Sequence, residues 1–152
     1  MTRLTVTIAA LLLLAGCSDY ISEPPGSKYR FMAYLSGANE VPPSASAGKG
    51  YMEAQYAPAT RILKWVLNYS DLGGPVTWAH LHGPDGVGND DAAIVPINMQ
   101  IEGGGHPGGA TLTQRQAEDL IAGRWYVNLK TAQYPAGEVR GPLVLKTEPA
   151  KQ

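Results

Sequence analysis

Cysteine is almost missing from this chain. Of 152 residues only Cys17 is a cysteine, so no disulfide within the chain is available, and a mature protein with a modified Cys17 has no thiol nucleophile. Charge is sparse as well. Asp, Glu, Lys and Arg make up 16% of the residues, and the formal net charge is −1. No cluster of Lys and Arg supplies the basic patch that a phosphate backbone needs, which argues against nucleic acid as a partner. The run Gly103-Gly104-Gly105 is not followed by Gly-Lys-Ser/Thr and so is not a phosphate loop. No Gly-x-Ser-x-Gly nucleophile elbow is present. No second carboxylate lies beside Glu138 to suggest paired acid–base work. Internal repeats are lacking too, and the single apolar run is shorter than the roughly 20 residues of a bilayer span.

That apolar run stands at the start. Arg3 supplies one positive charge, and Val6, Ile8, Ala9, Ala10 and Leu11–Leu14 follow. This is the order of a secretory signal. Leu14-Ala15-Gly16-Cys17 resembles a bacterial lipobox. The resemblance implies cleavage after Gly16, a diacylglyceryl thioether on Cys17, and acylation, by palmitate or a similar chain, of the new amine. Several acyl chains, each methylene worth about 0.8 kcal/mol, make a stable anchor where one chain is marginal. Ser18, rather than an aspartate, follows the cysteine, which resembles the sorting pattern for the outer membrane. The expected organisation is a signal peptide at 1–16, lipidated Cys17 and a tether through residue 28, one domain at 29–146, and a tail at 147–152. Removing Arg3 with the signal takes the net charge from −1 to −2. The tether, with Pro24-Pro25-Gly26, reaches about 30 Å if extended. A domain without disulfides in an oxidising compartment must rely on its core.

The rest of the chain is rich in turn formers, with 18 glycines and 12 prolines. Short β signals lie between them. Strands are expected at Tyr29–Leu35, Gly50–Tyr56, Arg61–Tyr69, Val76–His82, Ala93–Ile97, Trp125–Lys130 and Val139–Leu145. The second and third read as a hairpin, and Leu63, Trp65, Leu67 and Tyr69 share one face of the third. Pro142 cannot donate to a ladder and belongs at an edge or a bulge. Thr113 and Gln116 have capping-box spacing, Ala117, Leu120 and Ile121 recur at helical spacing, and Gly123 stands where a helix would stop. One short helix over Gln114–Ala122 follows. Seven or so strands with one helix predict an all-β fold, an antiparallel Greek-key-like sandwich.

Four segments together resemble a known family. They are Leu35-Ser36-Gly37-Ala38-Asn39-Glu40-Val41-Pro42-Pro43 and Ala79-His80-Leu81-His82-Gly83-Pro84. Leu112-Thr113-Gln114 with Leu120-Ile121-Ala122-Gly123-Arg124-Trp125-Tyr126-Val127-Asn128 comes next, and Gly137-Glu138-Val139-Arg140-Gly141 closes the set. In this order they resemble the CHRD domain, first recognised in the developmental protein chordin and widespread in bacterial secreted proteins. The resemblance covers about residues 29 to 146. It implies a β-sandwich of the immunoglobulin or superoxide-dismutase kind, and chordin itself is an extracellular growth-factor antagonist. The family often has histidine where Lys130 stands and glutamine where Pro142 stands, so a ligand role of that histidine would be lost here.

His80 and His82 are the sharpest chemical feature. Two apart on a strand, they share a face, about 6.5–7 Å apart along the chain. Together they suit copper or zinc, with His106 in its glycine-rich loop as a third ligand. They equally suit hydrogen bonding at a strand end, beside Trp78 on the same face, and a charged Lys130 would repel a cation. Asp85, Asn89, Asp90 and Asp91 form an oxygen-rich loop that suits calcium, although turns use these residues for their own backbone reasons. Glu138 and Arg140 share a strand face and read as a structural ion pair. Trp65, Trp78, Trp125 and most tyrosines read as packing groups rather than a ligand platform. The functional expectation is a non-enzymatic binding or structural module, lipid-anchored in the cell envelope at the outer membrane. Its partner would be an envelope or extracellular protein met through loops 40–48 and 82–91. The alternative is a periplasmic copper- or zinc-binding protein.

Overall fold

A computed structural model describes residues 28–84, 93–99 and 105–147. Cys17, the signal and tether, and the loop carrying Asp85, Asn89, Asp90 and Asp91 lie outside the described residues. The elements are β1 (Tyr29–Ser36), β2 (Lys49–Ala57), β3 (Ile62–Ser70), β4 (Val76–His82), β5 (Ala93–Pro96) and β6 (His106–Thr111). They continue with α1 (Gln114–Ile121), β7 (Tyr126–Thr131), β8 (Val139–Pro142) and β9 (Val144–Thr147). The fold is all-β, and among the described residues every pairing is antiparallel and the one α-helix is short, as the sequence pattern predicts. The strands run in the order β5-β4-β7-β8-β1-β2-β3-β6, with β9 also paired to β1. This continuous sheet curls around one core and comes close to a barrel.

Alternation decides which side of each strand is inside. Phe31, Ala33 and Leu35 of β1, Met52 and Ala54 of β2, and Leu63, Trp65 and Leu67 of β3 are buried together. They meet Ala79 and Leu81 of β4, Val127 and Leu129 of β7, and Val139 from the far side. Each such side chain contributes about 1.5–3 kcal/mol relative to exposure. Helix α1 closes one end with Ala117 and Leu120. Its capping box is complete, because Thr113 Oγ1 accepts from the Gln116 amide and Gln116 Oε1 accepts from the Thr113 amide. Gly123 follows with φ +74°, a conformation that glycine adopts without steric cost.

Two expectations about strands need correction. First, β6 was absent from the strand set, because His106-Pro107-Gly108-Gly109 has the wrong composition for one. It forms because Gly108, opposite Trp65 in register, leaves room for the indole ring; a Cβ there would sit 2.5 Å from it. Second, Val139–Leu145 is not one strand. It breaks at Leu143, so that β8 pairs mainly with β7 and β9 with β1. Pro142 therefore lies in the interior of the sheet, at the break rather than at an edge. Toward β1 the ladder skips from Arg140 to Val144, so no hydrogen bond is required of the missing proline N–H.

The approach of β8 to β1 depends on Gly141. A methyl group there would run into the Tyr34 carbonyl of β1. The Gly141→Ala variant is expected to lose about 3 kcal/mol of stability, the upper end of an overpacking cost. Gly74→Ala, whose new methyl meets nothing within 4 Å, is expected to change little. Urea denaturation of both purified variants checks this, and equal midpoints would refute it.

Candidate functional site

The outer face of β4, β7 and β8 carries a second, polar cluster. Ala79 and Leu81 point to the core, so Trp78, His80 and His82 point outward. In register beside them stand Lys130, Asn128 and Tyr126 of β7. Arg140 and Pro142 of β8 lie next, opposite Asn128 and Tyr126. The segment Gly37–Gly48 brings Glu40 onto this face.

Glu40 and Arg140 form an ion pair at 3.1 Å, with only 4% and 2% of each residue exposed. Asn128 Nδ2 donates to both Glu40 oxygens at 3.2 Å. Burial pushes the Glu40 carboxyl above its usual range, against the opposing pull of Arg140, Asn128 and Lys130. Gly137 makes room for this carboxylate, since a Cβ there would lie 2.5 Å from Glu40 Oε2. Asn39 Nδ2 donates to the Arg140 carbonyl at 3.1 Å, which ties the same segment to β8 again.

Arg140 does not pair with Glu138, contrary to the sequence expectation. Two residues along one strand share a side, but a carboxylate arriving from another segment meets the guanidinium instead. Glu138 accepts from Ser46 Oγ at 2.7 Å, Thr131 Oγ1 at 2.5 Å and the Gly73 amide at 2.7 Å. Burial alone would raise its pKa, but these three donors together hold it below the usual carboxylate range. Ser44 Oγ adds a bond to the Glu138 carbonyl at 2.7 Å. Glu138 thus fastens segments 44–46 and 73 to β8.

From the ion pair a stack of flat groups runs outward. The Arg140 guanidinium lies 4.7 Å over the Tyr126 ring. Tyr126 stacks on His82 at 4.9 Å and 10°. His82 meets His80 edge-on at 5.8 Å, and His80 stacks on Trp78 at 5.5 Å and 17°. Exposure rises along this line from fully buried Tyr126 to half-buried His80 and then to Trp78 at 63%. Trp78 is thus no core residue, unlike Trp65 and Trp125. Burial lowers the His80 pKa, helped by His82 and Lys130, so the imidazole is neutral at pH 7. Asn128 Oδ1, opposite His80 in register, is buried without a hydrogen-bond partner among the described residues.

His106 does not join the histidine pair. It sits on β6, opposite Leu67, and its ring stacks on Tyr69 at 5.2 Å and 10°. Its glycine-rich surroundings read as a flexible loop in sequence, but pairing with β3 fixes it in the sheet. Among the described residues, no three His, Cys, Asp or Glu side chains converge as a metal site.

Glu40, His80, His82, Tyr126, Asn128 and Arg140 of this cluster come from the segments that carried the family resemblance. The family model described as the CHRD domain matches residues 31–143. This chain belongs to the CHRD domain family. No curated protein and no solved structure matches it. Membership supports an all-β binding or structural module. The geometry gives the CHRD motif residues physical roles: Glu40, Asn128 and Arg140 are one buried network, Gly137 and Gly141 make room, and Glu138 is a fastener. Sequence reading singled out His80, His82, Glu138 and Arg140 but missed Glu40, Tyr126 and Asn128. Their only signal was their place in the same motifs.

Removing the cation from this CHRD network leaves a buried carboxylate without its ion-pair partner. Arg140→Met is expected to cost about 3–5 kcal/mol, whereas Glu40→Leu/Arg140→Met together recover most of that loss. Urea denaturation at neutral pH measures both, and a double variant no more stable than the single one would contradict the account.

Proposed function

We propose that this CHRD protein is a lipid-anchored module of the cell envelope, held at the outer membrane through Cys17, which binds an envelope or extracellular protein without catalysing a reaction. The observation that carries the reading is how the charged motif residues are used. Glu40, Arg140 and Glu138 are buried and spent on holding loops to the sheet. What the cluster presents to solvent is Trp78, half-buried His80 and Lys130. An exposed tryptophan backed by a stacked imidazole and flanked by a cation is the composition of a contact surface.

The test is made in cells. Labelled palmitate is expected on the full-length protein, in the outer-membrane fraction, and is expected to vanish in Cys17→Ala. A photo-crosslinking residue in place of Trp78 is expected to give one discrete protein adduct, and the same group in place of Arg61 none. A protein that takes no label, or a position 78 that yields no adduct, would refute the corresponding half of the reading.

A second reading has its own support. The His80 and His82 rings lie 5.8 Å apart, and a neutral His80 imidazole offers a lone pair, which favours copper or zinc capture. Purified full-length protein, stripped and titrated with each metal, is then expected to bind about one ion, lost in His80→Ala with unchanged thermal stability. Equal uptake by the variant would remove this reading.

A further inference from the structure

A separate aromatic surface lies on β1, β2 and β3. Tyr34 faces Tyr51 across the β1–β2 ladder, and Tyr51 faces Asn68 across the β2–β3 ladder. The three side chains therefore form one row on the outside of the sheet, at the spacing of neighbouring strands. The Tyr34 and Tyr51 rings are 5.1 Å apart and inclined by 41°. Tyr34 is 63% exposed, a high value for a tyrosine in the body of a sheet. The two rings border a shallow depression of about 340 Å³, completed by Lys49, Gly50, Asn68, Tyr69 and Ser70. Gly50 lies between Lys49 and Tyr51 with its side-chain direction toward core residue Leu35, so it borders the depression through its backbone alone. Sequence reading assigned the tyrosines to packing, and for buried Tyr56 and Tyr126 that is their place. The Tyr34 and Tyr51 rings pack on each other on the outside of the sheet.

We infer that this tyrosine row is a binding site for a glycan, taken by stacking of pyranose rings on Tyr34 and Tyr51. A sugar ring has a flat face of polarised C–H bonds, which suits the electron-rich face of a phenol, and hydroxyls around its edge. The depression supplies partners for that edge: the Asn68 amide donates and accepts, the Lys49 ammonium donates, and the Ser70 hydroxyl, whose proton goes to Asp71 Oδ2 at 2.9 Å, accepts. Tyr51 is held in place, because its hydroxyl donates to Glu53 Oε1 at 2.7 Å. That bond keeps the phenol protonated, with its pKa pushed up to about 12. An open, shallow site fits a unit of an extended chain better than an enclosed small molecule. No large aliphatic side chain lines it. The surface is distinct from the Trp78 face and stands or falls independently of the reading proposed for that face.

The experiment is calorimetric titration of full-length protein in detergent with three soluble glycans. These are an oligomer of N-acetylglucosamine, a linear glucan oligomer, and the polysaccharide of an outer-membrane lipopolysaccharide freed of its lipid. Saturable binding of at least one is expected, weakened about tenfold or more by Tyr34→Ala and abolished by Tyr34→Ala/Tyr51→Ala. Trp78→Ala is expected to bind as the parent does, and thermal midpoints should show that the tyrosine variants are folded. Which glycan binds identifies the source, a cell-wall strand or a surface polysaccharide. No binding of any up to about 10 mM overturns the inference. So does binding that is indifferent to Tyr34 and Tyr51. Loss of a cellular protein adduct in Tyr34→Ala, without sugar binding, would assign the row to a protein partner and overturn it as well.

Discussion

The buried pair of Glu40 and Arg140 is the constraint on which the outer face of the domain depends. A curled sheet with one apolar core does not require its other side to be covered. Here part of that side is covered, by segment 37–48, and the cover is polar. An ion pair in such a place gains little over apolar packing of the same volume, but it tolerates few alternatives. A cation on β8 whose ion-pair partner is a carboxylate from a loop about a hundred residues away in sequence fixes where that loop lies. Asn128 then satisfies both carboxylate oxygens, and Asn39, Ser44 and Ser46 repeat the attachment through β8 backbone and Glu138.

The rest of the site follows from that anchor. Arg140 lies flat on Tyr126, Tyr126 on His82, and His82 meets His80, so each ring is oriented by the one beneath it. The last member, Trp78, reaches solvent stacked on His80, an arrangement that would lower the entropic cost of binding the proposed partner. Lys130, opposite Trp78 in register, completes the rim.

Much of this was readable from sequence because local patterns decided it. Alternation marked β4 to the residue, and the Thr113–Gln116 spacing marked the start of α1. The failures have one source, contacts between distant segments. β6 is a strand only because Trp65 needs a flat surface beside it, and nothing in His106–Thr111 announces that. β8 and β9 separate because two different neighbours claim them. Glu138, just before β8, and Arg140 within it stand two residues apart, yet each is satisfied from elsewhere. Of the site, the two histidines were visible as a period of two. Glu40, Tyr126 and Asn128 were visible only as members of motifs, since a polar residue destined for burial looks in sequence like any other.

Among the described residues the two end strands of the sheet, β5 and β6, each contain proline: Pro96 and Pro107. A margin that lacks part of its row of N–H donors is a poor template for another strand. An acyl anchor would confine many copies to two dimensions, where domains collide often and edge-to-edge pairing would seed aggregates. The same proline that obscures β6 in the sequence, and Pro96 at the other margin, would make neighbouring copies poor partners for such pairing.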